Sequence, residues 1–364
     1  MNRLMQLKEL GQSAWLDYID RPLLDQGGLA RLVAEDGVAG VTSNPAIFQK
    51  AIAGGTDYAG ALDELAASCD DAKSLYEAVA IRDIQDAADI LAPVYAETDT
   101  HDGYVSLEVS PELARDTEGT IAEARRLWHA VARPNLMIKV PGTPEGMPAI
   151  QTLIREGINV NVTLLFAREM YERTAEAYLQ GLEQRKDDGH DVSRVASVAS
   201  FFISRIDSAA DKALAAAGAD NGLQGKTAIA NAKLAYAHYE MLMASDRWQA
   251  LARAGAQPQR LLWASTSTKN PDYRDVLYVE TLIGPDTVNT LPPATLDAFR
   301  DHGDAATTLG GDVSDAEATL AQVAAAGVSL DAITDELLDD GIRLFADAFR
   351  ELLGVVDDAR LAHS

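Results

Sequence analysis

Cysteine is almost missing from this chain: Cys69 stands alone among 364 residues. One cysteine cannot form an internal disulfide, so a reducing compartment, the cytoplasm, is expected. No run of about 20 apolar residues occurs, and no segment reads as a membrane span. Met1 to Leu10 carries Lys8 and Glu9 and has no apolar stretch of the signal-peptide kind. Neither a G-x-G-x-x-G nor a P-loop is present, which removes the common nucleotide cradles. The histidines (His101, His129, His190, His238, His302 and His363) lack metal-ligand spacing, and no metal site is expected. No Ser–His nucleophile pattern is visible. Basic residues are also scarce, 31 against 56 acidic ones, for a net charge of -25. Such a surface repels nucleic acid and anionic membranes. It also sets a condition: a pocket for a phosphate ester would have to gather basic side chains locally. Solubility alone is the other reading of the charge.

Apolar residues make up 47% of the chain, enough for a large core. No linker rich in Pro, Ser or Gly divides it, and no short repeat recurs. Strand-like apolar runs fall at Ser13–Ile19, Val38–Ser43, Tyr104–Val109, Leu136–Val140, Ile158–Leu165, Val195–Ile203, Arg260–Ser265 and Thr287–Leu291. Continuous apolar runs are how buried parallel strands read. Helical patterns lie between them. Thr117–Val131 places Ile121, Ala124, Leu127, Trp128 and Val131 on one face and Glu123, Arg125 and Arg126 on the other. Thr227–Arg253 is a second helical stretch. Ala294–Arg300 and two further stretches to about residue 354 follow. Alternation of this kind predicts an α/β fold, a (β/α)8 TIM barrel with additional helices at both termini. An open doubly wound sheet is the alternative. The barrel is expected over about 13–302 and a C-terminal helical extension over about 303–364, within one domain.

Barrel enzymes carry their chemistry at the C-terminal ends of strands. Lys139 interrupts such a run near its end, in Leu136–Pro141, where an amine is costly unless neutral or paired. A neutral inward lysine is what a Schiff-base nucleophile requires. Taken alone, the segment favours an edge lysine lying along apolar surface. Other strand ends are also polar. Asp17 follows Ala14–Leu16, Asn44 precedes Pro45, and Glu108 follows Val105–Leu107. Asn159, Asn161 and Thr163 share one strand face. Ser200 and Arg205 close another run, and Ser265 and Lys269 a further one. Singly, each has a bland reading as a cap, a turn or a solvated side chain. Together they describe a polar cup at one mouth of a barrel.

Several of these segments resemble transaldolase signatures: Gly40–Pro45, Met137–Thr143, Ile158–Phe166, Ser200–Arg205, Trp263–Ser265 with Lys269–Pro271, and Thr287–Pro292. The resemblance runs from about Ser13 to Pro293. It is closest to the longer transaldolase subfamily seen in actinobacteria and related organisms, and the chain is too short for that family's fusion with a phosphoglucose isomerase. It implies a class I aldolase-type barrel with no metal or organic cofactor. The implied reaction moves a dihydroxyacetone unit from sedoheptulose 7-phosphate to glyceraldehyde 3-phosphate, in the non-oxidative pentose phosphate pathway. By resemblance, Lys139 forms the Schiff base and Asp17 takes the C4 hydroxyl proton. Glu108 moves protons through a water positioned by Thr163. Asn44 and Asn161 hold donor hydroxyls, Ser200 meets the C1 hydroxyl, and Phe202 lies beside them. Arg205, Ser265 and Lys269 fall to the phosphate. Many transaldolases carry an arginine near Lys269 on a shorter loop, and here Ser265–Thr268 precede it. A sibling aldolase that cleaves fructose 6-phosphate carries Gln near Glu108 and Tyr near Phe202, so Glu108 and Phe202 favour transaldolase. The expected partners are sugar phosphates, with no nucleic acid or membrane, acting on a monomer or homodimer.

Overall fold

Each of the eight apolar runs becomes a strand: β1 (Gln12–Leu16), β2 (Gly40–Thr42), β3 (Tyr104–Glu108), β4 (Leu136–Pro141), β5 (Val160–Leu165), β6 (Ser197–Phe202), β7 (Arg260–Ala264) and β8 (Thr287–Leu291). In the computed structural model, which describes residues 2–219 and 221–362, they form one closed barrel of parallel strands in sequence order. His363 lies outside the described residues. Closure runs in register from Gln12 opposite Thr287 to Leu16 opposite Leu291. Every strand position is buried, because side chains fill the inside and helices cover the outside.

The strands are shorter than the apolar runs where a cap intervenes. β1 stops at Leu16, and Asp17 N donates to Leu291 O at 2.9 Å before the chain turns away. Asp20 then caps the helix Arg21–Asp25 by accepting from Leu23 N at 2.8 Å. The helix expected over Thr227–Arg253 is two helices, Thr227–Met243 and Asp246–Ala252. Ser245 breaks it by accepting from Trp248 N at 3.2 Å, as an N-cap does. The helix Thr117–Val131 begins and ends as the periodicity predicts. Its Glu123, however, is buried rather than solvated. The carboxylate accepts from Ser110 N at 2.6 Å and pairs with Lys73 from the helix Ala72–Glu97, so burial leaves it bonded.

The N-terminal end of the barrel is plugged. A Cβ on Gly40 would lie 2.5 Å from the Trp15 ring, so only glycine lets that ring fill the interior. Trp15 Nε1 donates to Asp102 at 2.9 Å, and Arg260 reaches Asp102 at 3.0 Å and Ser13 Oγ at 2.8 Å. This ionic floor is far from the mouth and belongs to stability.

The tail forms the helices Ser314–Ala325 and Leu330–Ala362. The long last helix packs against the helices Pro45–Ala53, Ala72–Glu97 and Ser204–Ala216 and against β5. There β5 carries a register shift between Val162 and Leu165, and Leu164 takes φ +60°. That conformation is costly for a leucine and persists only when its surroundings hold it. Gly341 of the last helix does the holding: a Cβ there would come within 2.9 Å of Leu164 Cδ2.

Candidate active site

Register assembles the catalytic candidates. Glu108 of β3 lies opposite Lys139 of β4, and Lys139 opposite Asn161 of β5. Parallel pairing puts directly opposed side chains on one face, here the inside of the barrel at its C-terminal end. Lys139 is 5% exposed. Its Nζ donates to Ser43 O at 3.2 Å and stands 3.6 Å from Glu108 Oε2, an ion-pair distance longer than a hydrogen bond. Burial pushes the Glu108 carboxyl from 4.5 up to about 7, against the pull of Lys139 and with help from the negative charge of Asp17. Among the described residues neither Glu108 oxygen has a hydrogen-bond partner, and the buried Thr163 hydroxyl has none either.

Above Lys139 opens a pocket of about 180 Å³ at the barrel mouth. Asp17, Asn44, Lys139, Thr163, Ser200, Phe202, Arg205, Ser265 and Lys269 all line it, so nine of the sequence candidates converge on one cavity. Glu108 and Asn161 stand behind its wall. Asn161 Nδ2 donates to Ser106 Oγ at 3.0 Å and its Oδ1 accepts from Ser200 Oγ at 2.7 Å, which fixes the face Ser200 turns to the pocket. Asn159, on the same sequence face, is a brace instead. It donates to Pro134 O at 3.0 Å and Leu136 O at 2.9 Å and accepts from Ala196 N at 2.9 Å.

Asp17 accepts from Thr42 Oγ1 at 2.7 Å, and Thr42 in turn lies 2.6 Å from Thr290 Oγ1. Burial raises the Asp17 carboxyl above its ordinary value, opposed by Lys139, the Thr42 hydroxyl and Arg205. Asn44 caps the helix Pro45–Ala53 by accepting from Ile47 N at 3.0 Å while it also lines the pocket. One side chain thus starts the turn and lines the pocket.

The opposite wall is cationic. Arg205 Cζ lies 5.4 Å from the Phe202 ring and 6.0 Å from the Phe345 ring. Burial pulls its guanidinium below its ordinary value, opposed by the charge of Asp17. Ser265 takes φ +57° and its hydroxyl lies 2.9 Å from Ser204 Oγ. Ser267 and the exposed Lys269 complete this corner. The lining thus holds Lys139, Arg205 and Lys269 against one carboxylate, Asp17, in a chain of net charge -25. The local gathering of positive charge that a phosphate ester demands is present.

Sequence reasoning missed part of the wall. Thr42, two residues before Asn44, shares its strand face, so period-two counting could have found it. Thr290 lay inside a segment already singled out. Phe345 comes from the last helix and stands 6.0 Å from Lys139 Nζ. Nothing in the sequence separates it from an ordinary core phenylalanine.

A buried lysine 3.6 Å from a buried carboxylate, beneath a cationic corner at the mouth of a parallel barrel, is the arrangement of an α/β-barrel enzyme with room for an anionic ligand. The family model described as Transaldolase/Fructose-6-phosphate aldolase matches residues 14–356. The transaldolase of Thiobacillus denitrificans is 51% identical over 358 residues, covering 98% of this chain and 100% of that one. The transaldolase of Thermobifida fusca is 50% identical over 364 residues, covering 99% of each. That of Trichodesmium erythraeum is 46% identical, covering 98% and 97%. The chain belongs to the transaldolase/fructose-6-phosphate aldolase family, and it is an enzyme, a transferase of the transaldolase type. Among the described residues no helix is long and apolar enough to cross a membrane. No group of three or more His, Cys, Asp or Glu side chains there could hold a metal ion.

Proposed function

We propose that this chain transfers dihydroxyacetone between sugar phosphates through a Schiff base on Lys139. The observation that carries the reading is the placement of Lys139 Nζ in the pocket, 3.6 Å from a carboxyl held near neutrality. A carboxyl poised there can take a proton from the amine and return it. Lys139 attacks the donor's C2 ketone, and the carbinolamine loses its hydroxyl as water with a proton from Glu108. Thr163, two strand positions from Asn161 and with a buried hydroxyl that has no hydrogen-bond partner among the described residues, positions the water that Glu108 works through. The iminium then serves as an electron sink. Asp17 takes the C4 hydroxyl proton, the C3–C4 bond breaks, and its electron pair flows to the nitrogen, giving an enamine and erythrose 4-phosphate. Glyceraldehyde 3-phosphate enters, the steps reverse, and fructose 6-phosphate leaves.

Asn44, Asn161 and Ser200 hold the hydroxyls of the retained three-carbon unit. Arg205, with its fork of donors, binds the phosphate together with Ser265 and Lys269. Fixed donors and a roofed pocket let the enamine outlive the exchange of aldehydes. The reaction belongs to the non-oxidative pentose phosphate pathway in the cytoplasm. The acidic surface and the single Cys69 support that placement. The protein works as a monomer or homodimer, its C-terminal helices part of one domain with the barrel.

Incubation with fructose 6-phosphate and borohydride, followed by peptide mapping, tests the reading. The adduct is expected on Lys139 and is lost in Lys139→Ala, whose fold stays intact. An adduct on another lysine, or none, overturns the assignment. Release of free dihydroxyacetone in preference to transfer would mark the sibling aldolase activity instead.

A further inference from the structure

Glu108 has two sides. One faces Lys139. The other faces a second cavity of about 10 Å³, between the helices Ala72–Glu97, Thr117–Val131 and Leu330–Ala362. That is the volume one water position needs. Tyr76, Ser110, Glu123, Lys73 and Phe349 help to wall it. Glu108 belongs to the wall of this rear cavity and not to that of the sugar pocket. Both its oxygens are buried without a hydrogen-bond partner among the described residues, although buried carboxyls ordinarily find one.

The far side of the cavity leads to the surface. Glu123 Oε1 accepts from Ser110 N at 2.6 Å and its other oxygen pairs with Lys73, whose side chain is 37% exposed. Glu77 lies 3.8 Å from Lys73 and 2.6 Å from Arg126. Tyr76 shares the cavity wall with Glu108, Glu123 and Lys73. Burial first, then the charges of Glu108, Glu77, Glu123 and Asp83, push its phenol far above the physiological range, so it stays a proton donor. The charged and titratable groups around Glu108 are therefore Lys139 and Asp17 from the barrel, Tyr76, Lys73 and Glu77 from one helix, and Glu123 from the next. The last helix contributes the uncharged Phe349.

We propose that the Glu108 proton exchanges with solvent through this rear cavity, by way of the Tyr76 hydroxyl and the Glu123–Lys73 pair, rather than through the sugar-binding mouth. The inference rests on Glu108 being the proton carrier beside Lys139. During turnover the sugar fills the mouth and Phe345 roofs it, 6.0 Å from both Lys139 Nζ and Arg205 Cζ. A back door lets Glu108 follow solution pH while the front is occupied. For each proton that Glu108 gives the departing carbinolamine hydroxyl, the Tyr76 hydroxyl passes one inward and takes one from the Lys73 side. Hydrolysis of the iminium returns one proton outward, so nothing accumulates over a turnover.

Tyr76→Phe is the test, because it keeps the ring that meets Phe48 at 5.7 Å and Phe349 at 5.8 Å and removes only the hydroxyl. The expected result is a kcat lowered roughly tenfold, less than the roughly hundredfold or more lost with the proton-transfer group itself, with KM unchanged. The rate should also become dependent on buffer concentration and be restored by small weak acids such as formate or imidazole. Lys73→Met should show the same buffer dependence more weakly. A slower Tyr76→Phe without buffer dependence, or wild-type rates in both variants while Glu108→Gln is slow, overturns the rear route alone. A wild-type rate in Glu108→Gln overturns the rear route and the role of Glu108 together.

Discussion

Glu108→Gln preserves the shape of a buried side chain and deletes its titration. Burial carries the carboxyl from 4.5 to about 7. Between those values the folded protein holds a proton that the unfolded chain has released. A raised folded pKa places the stability from this group below pH 4.5, and that stability is lost as pH rises through about 7. The slope is about 1.4 kcal/mol per pH unit and the whole loss about 3 kcal/mol. Urea unfolding of wild type and Glu108→Gln at a series of pH values from about 5 to about 8 isolates it. Every other titrating group cancels in the difference except those coupled to Glu108. Wild type should lose two to three kcal/mol (roughly) relative to the variant over that range. A difference that stays constant with pH refutes the raised carboxyl, and with it the physical basis for Glu108 as a proton carrier near neutrality.

Arg205→Lys keeps the charge but loses the fork of donors, so KM for sugar phosphates should rise about tenfold or more while non-phosphorylated donors are little affected; equal effects on both would exclude Arg205 from the phosphate corner. Phe345→Ala uncovers Lys139, and free dihydroxyacetone should appear alongside transfer product in a coupled assay, whereas an unchanged partition would deny the ring a shielding role. Gly341→Val drives a branched side chain into Leu164, 2.9 Å from the nearest added carbon. It should cost about 1 to 3 kcal/mol of stability on unfolding, and wild-type stability would show that the helix approaches less closely than described.

The barrel was legible because buried parallel strands leave a plain trace. All eight apolar runs became strands, and most of the polar residues near their ends line the mouth. Asp17, Asn44, Lys139 and Thr163 were legible as pocket candidates because each is a polar side chain in or just beyond a strand run. What escaped were contacts made over long sequence distances. Glu123 reads as solvated on a helical wheel, and its burial is offset by Ser110 N, Lys73 and Arg126. The break at Ser245 turned on one hydroxyl. Phe345 is apolar in an amphipathic helix, and neither periodicity nor propensity records that this helix lies over the mouth.

That last helix has a consequence for assembly. The pocket wall begins at Asp17 and ends at Phe345, so it is stitched from nearly both extremes of the chain. A barrel whose strands have closed but whose final helix has not docked would own the lysine and both carboxyls yet lack a roof. Such an intermediate is expected to let water reach the enamine and spill its three-carbon cargo. Leu164, held at φ +60° under Gly341, ties strand β5 to the same docking event. The ratio of transfer to spillage, followed during refolding, therefore clocks the arrival of the chain's last element, a step that the reactivity of Lys139 alone would not register.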